Sequence, residues 1–129
     1  MRLRAISATI VHVVTSVLIV DDHEPFRQLA RALLQAEGFD VVGEAEDGHS
    51  AVEAAARLRP RLVVLDIQLP DIDGFEVAER LAASDGAPTV VLVSSRDESA
   101  YRRRLEETPA VAFIGKGDLT VEALRKLVA

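Results

Sequence analysis

Residues 62–65 read LVVL, a continuous apolar run with β-branched residues, and the carboxylate of Asp66 follows it directly. Four more short apolar runs lie along the chain, at residues 16–20 (SVLIV), 39–42 (FDVV), 89–93 (TVVLV) and 111–114 (VAFI). Most of these runs are continuous and not alternating, which is typical of strands buried on both faces of a parallel sheet. The sequence therefore predicts five strands.

Segments with helical periodicity separate and follow these runs. The predicted helices lie between residues 25 and 38, 50 and 60, 73 and 86, 97 and 107, and 119 and 128. The second is expected to begin with a capping box from Ser50 to Glu53, and the third with Asp73 as its cap. Strands that alternate with helices predict an α/β fold, a doubly wound five-stranded parallel sheet flanked by five helices with right-handed crossovers.

Length, cysteine content and charge restrict the function classes. A chain of 129 residues fits one domain, and the absence of cysteine excludes disulfides, thiolate zinc sites and cysteine nucleophiles. A net charge of −6 argues against direct nucleic-acid binding. The apolar stretch at residues 10–20 is too short to span a membrane and lacks a signal-peptide cleavage site. We therefore expect a cytoplasmic protein.

Side chains suited to phosphate or metal chemistry follow four of the five predicted strands. Asp21 and Asp22 follow the first strand, Asp66 the third, Ser94 the fourth and Lys116 the fifth. Because ligands of doubly wound sheets bind at the carboxyl ends of the strands, these side chains are expected to share one crevice.

The residue types in this crevice favour phosphoryl chemistry. Three neighbouring carboxylates repel one another, and Mg²⁺ relieves that repulsion while binding phosphate oxygens. Asp66 is then placed to act as a carboxylate nucleophile toward a phosphoryl group, with Lys116 and the Ser94 hydroxyl as helpers. A pair of aspartates alone is usually a solvated turn, so the prediction depends on the whole set.

Four motifs, in order, closely resemble the receiver domain of two-component response regulators, which has a flavodoxin-like fold. They are VLIVDDHEPFR, LVVLDIQLPDIDGFE, VVLVSS and AFIGK. The resemblance covers about residues 16–128, so residues 16–129 are expected to form the receiver domain. It implies that Asp66 is the phosphoacceptor and that Asp21, Asp22, Asp66 and the backbone carbonyl of Gln68 hold Mg²⁺.

The resemblance also assigns the residues expected to respond to phosphorylation. Ser94 matches the switch hydroxyl, Lys116 the lysine of the site, and Phe113 the aromatic switch residue. Gly117 departs from the family, in which proline often follows this lysine, so the loop is expected to be more flexible.

The implied function is that of a signalling phosphoacceptor and not an enzyme with an external substrate. The phosphodonor would be a histidine kinase or a phosphotransfer protein, and the output would pass through a downstream protein, as in single-domain members, because the sequence ends after the fifth predicted helix. One alternative is a phosphorylation-independent interaction domain with the same fold. A haloacid-dehalogenase-like phosphatase is disfavoured, because Gln68 stands where that class needs a second aspartate.

Residues 1–15 lie outside the resemblance and form an N-terminal extension of open role. Residues 5–20 contain no Asp, Glu, Lys or Arg, which is typical of a β-prone segment. The extension is either a frayed arm or an early translation start, or an added edge strand or an arm exchanged between the protomers of a homodimer.

Overall fold

The computed structural model describes residues 14–128, in which strands and helices alternate. The strands are β1 (Ser16–Val20), β2 (Asp40–Ala45), β3 (Leu62–Asp66), β4 (Thr89–Ser94) and β5 (Ala112–Gly115). The helices are α1 (Glu24–Ala36), α2 (Gly48–Leu58), α3 (Gly74–Ala82), α4 (Arg102–Glu107) and α5 (Val121–Val128). Short 3₁₀ turns cover Glu98–Tyr101 and Lys116–Asp118. Residues 1–13, and with them most of the predicted extension, lie outside the described part.

The five strands form one sheet in the order β2-β1-β3-β4-β5, and every neighbouring pair is parallel. This confirms the predicted doubly wound sheet with its flavodoxin-like strand order. The order reverses between β1 and β3, so the crevice at the carboxyl edge opens beside these two strands.

Both faces of the central strands are buried. All five residues of β3 are buried, as are the last four of β1. Side chains alternate along each strand, so Leu18 and Leu65 belong to the core with α2 and α3. Ile19 and Val64 belong to the opposite core, with α1 and α5. Double burial is the physical reason that these strands are continuous apolar runs.

Two helix starts show where the capping prediction succeeds and where it fails. The side chain of Asp73 caps α3 by accepting a hydrogen bond of 3.0 Å from the Glu76 backbone N–H, as predicted. The capping box from Ser50 to Glu53 is wrong. Helix α2 begins earlier, and its cap is Asp47. The Asp47 carboxylate accepts a hydrogen bond of 2.8 Å from the Ser50 backbone N–H.

The α4–β5 side of the domain is less buried than the centre. The predicted helix at residues 97–107 is a 3₁₀ turn followed by the short α4, and neither contains a buried residue. Strand β5 contains none either. Tyr101 and Leu105 nevertheless pack against the core.

Within residues 14–128, no helix combines the length and the apolar character that crossing a bilayer requires.

Candidate functional site

The five predicted site residues that follow strands meet at the carboxyl edge of the sheet. Carboxylate oxygens of Asp21, Asp22 and Asp66 all lie within 4.8 Å of one another. The Lys116 ammonium enters from the turn after β5, with Nζ 2.7 Å from Asp21 Oδ2 and 3.5 Å from Asp66 Oδ2. Asp22, Asp66, Lys116 and Gln68 line an open cleft of about 790 Å³.

Asp21 is a completely buried carboxylate, with an exposed fraction of 0%. Its Oδ1 accepts a hydrogen bond of 2.8 Å from the backbone N–H of His23. Among residues 14–128, no donor reaches Oδ2 with hydrogen-bond geometry, so the Lys116 charge alone faces that oxygen. A buried carboxylate oxygen without a hydrogen bond is costly, and such a group is placed to receive a cation.

The backbone of Asp21 is fixed from α1. Arg27 donates from Nη1 to the Asp21 carbonyl oxygen at 2.7 Å, and its Nε pairs with Glu44 Oε1 at 2.9 Å. Arg31 holds the other Glu44 oxygen at 2.6 Å. Burial raises the pKa of Glu44, but its hydrogen bonds and ion pairs with Arg31 and Arg27 outweigh burial and hold that pKa below its usual value. The sequence prediction missed Arg27.

Asp66 ends β3 at the bottom of the cleft and is 3% exposed. Burial, followed by the charge of Asp21, raises the pKa of Asp66 to about 6, although the Lys116 charge and the Gln68 backbone hydrogen bond lower it. The Gln68 N–H donates to Asp66 Oδ1 at 3.2 Å. A carboxylate with this pKa is largely ionised at neutral pH and remains poorly solvated.

Lys116 remains a cation in the cleft. Burial lowers its pKa, but the close ion pair with Asp21 and the negative charges of Asp66 and Asp21 outweigh burial and raise the pKa above its usual value. Its Nζ also lies 4.7 Å from the centre of the Phe26 ring. The ammonium therefore brings a fixed positive charge to Asp66.

Ser94 lies at the end of β4 and is 1% exposed. Its Oγ accepts a hydrogen bond of 3.0 Å from the Arg96 backbone N–H and lies 3.0 Å from the Tyr101 hydroxyl. The Tyr101 ring centre is 6.1 Å from that of the half-buried Phe113. Sequence reasoning did not find this contact between Tyr101 and Ser94, because it depends on how the 3₁₀ turn folds back.

The loop from β3 to α3 is pressed against Asp66. A Cβ on Gly74 would clash with the Asp66 carbonyl oxygen and lie 2.8 Å from Ile67 Cα, so only glycine fits there. The Gly74 N–H also donates to the Ile67 carbonyl oxygen at 2.8 Å. This close approach holds the start of α3 against Asp66 and Ile67, directly before Gln68, and only the fold reveals it.

The same loop is attached to α2 through Asp71. Its carboxylate accepts from the backbone N–H groups of Gly48 and His49, at 2.7 and 2.8 Å, and lies 2.6 Å from His49 Nδ1. Residual desolvation raises the pKa of Asp71, but the N–H groups of His49, Gly48 and Ile72 outweigh it and hold that pKa well below its usual range. Asp71 therefore holds the first turn of α2 from the β3–α3 loop.

Comparison with known proteins identifies the family. The family model of the response regulator receiver domain matches residues 17–129. This chain is a response regulator receiver domain. Response regulator GacA of Pseudomonas aeruginosa is 34% identical over 117 residues, which cover 88% of this chain and 55% of GacA. The receiver chain spans about half the length of the curated relatives it matches first.

Solved structures agree with this assignment. The response regulator domain of CheB from Thermotoga maritima superposes with a TM-score of 0.76 at 29% identity, over 90% of this chain and 95% of that one. A chain of the CheX–CheY–BeF₃–Mg²⁺ complex from Borrelia burgdorferi superposes with a TM-score of 0.75 at 27% identity. The superposition covers 88% of this chain and 86% of that one. Receiver domains bind Mg²⁺ at an acidic pocket and interact with a histidine kinase or other phosphodonor and with downstream proteins.

Proposed function

We propose that this receiver domain accepts a phosphoryl group on Asp66 and signals through a phosphorylation-dependent protein-binding face. The observation that carries the proposal is the arrangement around Asp66. A nearly buried carboxylate with a pKa of about 6 faces an open cleft, with an ammonium 3.5 Å away and two further carboxylates beside it. A structural ion pair does not need a cleft that admits a phosphate-sized group.

The carboxylates fit Mg²⁺. Their oxygens lie within 4.8 Å of one another, and the buried Oδ2 of Asp21, which faces the Lys116 ammonium but accepts no hydrogen bond from the described residues, offers a hard ligand of the kind Mg²⁺ prefers. Asp21, Asp22, Asp66 and the Gln68 backbone carbonyl would hold the ion. When bound, Mg²⁺ neutralises negative charge shared between these carboxylates and the phosphoryl oxygens.

In the proposed transfer, one Asp66 carboxylate oxygen attacks the phosphorus of the donor. The new bond joins that oxygen to phosphorus, and the bond from phosphorus to the donor breaks, so the donor atom leaves with its electron pair. The product is an aspartyl phosphate, whose oxygens gain the Lys116 ammonium as an ion-pair partner. Attack of water on phosphorus later returns the Asp66 carboxylate and inorganic phosphate.

Ser94 and Phe113 are the proposed responding residues. Ser94 ends the strand next to β3 and carries a hydroxyl that can donate to a phosphoryl oxygen. Phe113 lies on β5, and its ring centre is 6.1 Å from that of Tyr101 in the weakly buried 3₁₀ turn before α4, where a change in packing alters a surface that partners can reach. The proposed partners are a histidine kinase or phosphotransfer protein as donor and a downstream protein as target, and the acidic net charge of −6 disfavours direct binding to nucleic acid.

The test is phosphorylation by a small donor. We would incubate the protein with acetyl phosphate and Mg²⁺ and record its intact mass, beside Asp66→Asn and the control Asp97→Asn, an exposed carboxylate outside the cleft. We expect one phosphoryl group on the wild type and on Asp97→Asn, and none on Asp66→Asn.

Fast hydrolysis would hide the adduct, so beryllofluoride binding with Mg²⁺ provides the second readout. A folded wild-type protein that neither gains a phosphoryl group nor binds beryllofluoride would contradict the proposal. The remaining function would then be that of a phosphorylation-independent interaction domain.

A further inference from the structure

The Ser94 hydroxyl is engaged away from Asp66 in this structure. Its Oγ is 3.0 Å from the Tyr101 hydroxyl, and the Arg96 backbone N–H donates to the same Oγ at 3.0 Å. Ser94 is 1% exposed, so these two contacts determine where its side chain points. Tyr101 lies seven residues further along the chain, outside the strands that build the cleft.

The Ser94 hydroxyl can make only a limited number of hydrogen bonds at one time. A hydroxyl has one proton and two acceptor positions, and the Arg96 N–H already occupies one acceptor position of Ser94. Phosphoryl oxygens only accept, so Ser94 can bind them only by donating its proton. Either hydroxyl can be the donor in the 3.0 Å contact between Ser94 and Tyr101, and when Ser94 is the donor, turning its proton toward a phosphoryl group on Asp66 breaks that contact.

The Tyr101 ring connects this contact to the surface of the domain. Its centre lies 5.8 Å from Phe75 on α3 and 6.1 Å from Phe113 on β5, both in tilted arrangements. The Arg104 guanidinium lies 4.3 Å from the centre of the Phe75 ring and pairs with Asp73 at 2.8 Å. One hydroxyl contact is thus continuous with the packing between α3, α4 and β5.

The segment that carries Tyr101 is weakly anchored. Neither the 3₁₀ turn Glu98–Tyr101 nor α4 contains a buried residue. Segments with few buried apolar contacts reorganise at low free-energy cost. A single hydrogen bond is therefore a substantial part of what keeps this segment in the observed arrangement.

We propose that Tyr101 is a positioning residue that acts through Ser94. Its hydroxyl retains the Ser94 side chain in the unphosphorylated arrangement, and loss of this contact frees residues 98–107 to repack. The proposal rests on the proposed phosphorylation of Asp66, and it places the restraint on Tyr101, a residue distinct from the expected aromatic switch Phe113. Removal of the Tyr101 hydroxyl then favours the phosphorylated arrangement.

The first experiment measures beryllofluoride affinity in the presence of Mg²⁺ for the wild type, Tyr101→Phe, Ser94→Ala and the double variant. Phenylalanine keeps the ring and its stacking, so only the hydroxyl is lost. We expect Tyr101→Phe to bind roughly two- to tenfold more tightly than the wild type, the range that one hydrogen bond gives. In the Ser94→Ala background the same substitution should change the affinity less than about twofold, because its effect passes through Ser94.

The second experiment needs no added fluorophore, because the chain contains one tyrosine and no tryptophan. Its tyrosine fluorescence therefore reports on Tyr101 alone. We expect the emission to change as beryllofluoride is added with Mg²⁺, with the same concentration dependence as binding, and to stay constant in Asp66→Asn.

The outcomes separate the two proposals. A wild type that binds beryllofluoride while Tyr101→Phe shows equal or weaker affinity would overturn the role of Tyr101 and leave phosphorylation of Asp66 standing. Constant tyrosine emission during wild-type binding would do the same. A wild type that binds no beryllofluoride and gains no phosphoryl group would overturn both.

Discussion

The two sides of Asp66 are held in different ways. The acidic side, which consists of Asp21, Arg27 and Glu44, is fixed by charged hydrogen bonds between 2.7 and 2.9 Å and lies against fully buried strand residues. The aromatic side, made of Ser94, Tyr101 and Phe113, depends on one hydroxyl contact and tilted rings. A metal site needs fixed oxygens, whereas a responding surface needs two packings of similar free energy.

The largest expected difference between the two sides is in packing. Leu18 is completely buried in β1, directly before the acidic side, and Leu18→Ala should lower the free energy of unfolding by about 2–5 kcal/mol. Phe113 is half-buried on the aromatic side, so Phe113→Ala should cost less, roughly 1–2 kcal/mol. Urea denaturation of both variants measures the contrast, and equal losses would refute it.

The next effect concerns the charge that the acidic side concentrates on Asp66. Because the pKa of Asp66 is raised from 3.8 to about 6, folding favours its protonated form. The protonated Asp66 carboxyl therefore adds fully to the free energy of unfolding below pH 3.8, and this contribution is lost as the pH rises through about 6. With metal removed by a chelator, Asp66→Asn should therefore be more stable than the wild type by about 1–3 kcal/mol at pH 8.

Thermal and urea denaturation of these two proteins between pH 4 and pH 8 checks that expectation. The difference between them should grow with pH across this interval. A difference that stays constant would show that the Asp66 charge does not oppose folding.

A third prediction tests whether Arg27 positions the metal ligands. Arg27 and Arg31 both pair with Glu44, but of the two only Arg27 also donates to the Asp21 carbonyl oxygen. Arg27→Ala should lower Mg²⁺ affinity about tenfold, and Arg31→Ala less than about twofold. Calorimetric titration with Mg²⁺ decides this, and equal losses would assign the effect to Glu44 instead.

The smallest expected effect lies on the surface of the aromatic side. Arg104 stacks on Phe75 and pairs with Asp73 near solvent, so Arg104→Ala should cost about 0.5–1 kcal/mol. The neighbouring exposed Arg103 is the matched control, and its replacement by alanine should stay within about 0.5 kcal/mol. Thermal denaturation detects the difference, and a larger loss for Arg103 would contradict it.

The fold was largely predictable because the central strands, which are buried on both faces, are continuous apolar runs in the sequence. Strand β3 was predicted at residues 62–65 and ends at Asp66, one residue later. Strand β2 extends to Ala45, three residues beyond the prediction, because it is an edge strand. Its partly exposed Gly43 and Glu44 break the apolar run on which the prediction depended.

The start of α2 was not predictable, because its cap depends on a distant residue. Asp47 and Ser50 are both good capping residues in isolation. The Asp71 carboxylate, more than twenty residues away, accepts the N–H groups of Gly48 and His49 and so satisfies the first turn. No local pattern contains that contact.

The residues of the site also fall into a group that the sequence predicted and a group that it did not. Asp21, Asp66 and Lys116 were found because parallel strands bring their carboxyl ends to one edge. Tyr101 and Arg27 were missed because their roles depend on where a short turn and a helix lie against the sheet. Positions that follow strands can thus be inferred from sequence, and the groups that orient them require the structure.

The parallel strand order has a consequence for how the chain folds. Every neighbouring strand pair is parallel, so no local hairpin can start the sheet, and Val17 must find Leu62 before the centre exists. Closure of such long loops slows folding relative to helical bundles. During synthesis the central pair cannot form until β3 has left the ribosome. Lys116 emerges only after β5, so the ion pair with Asp21 joins one of the first site residues made to the last.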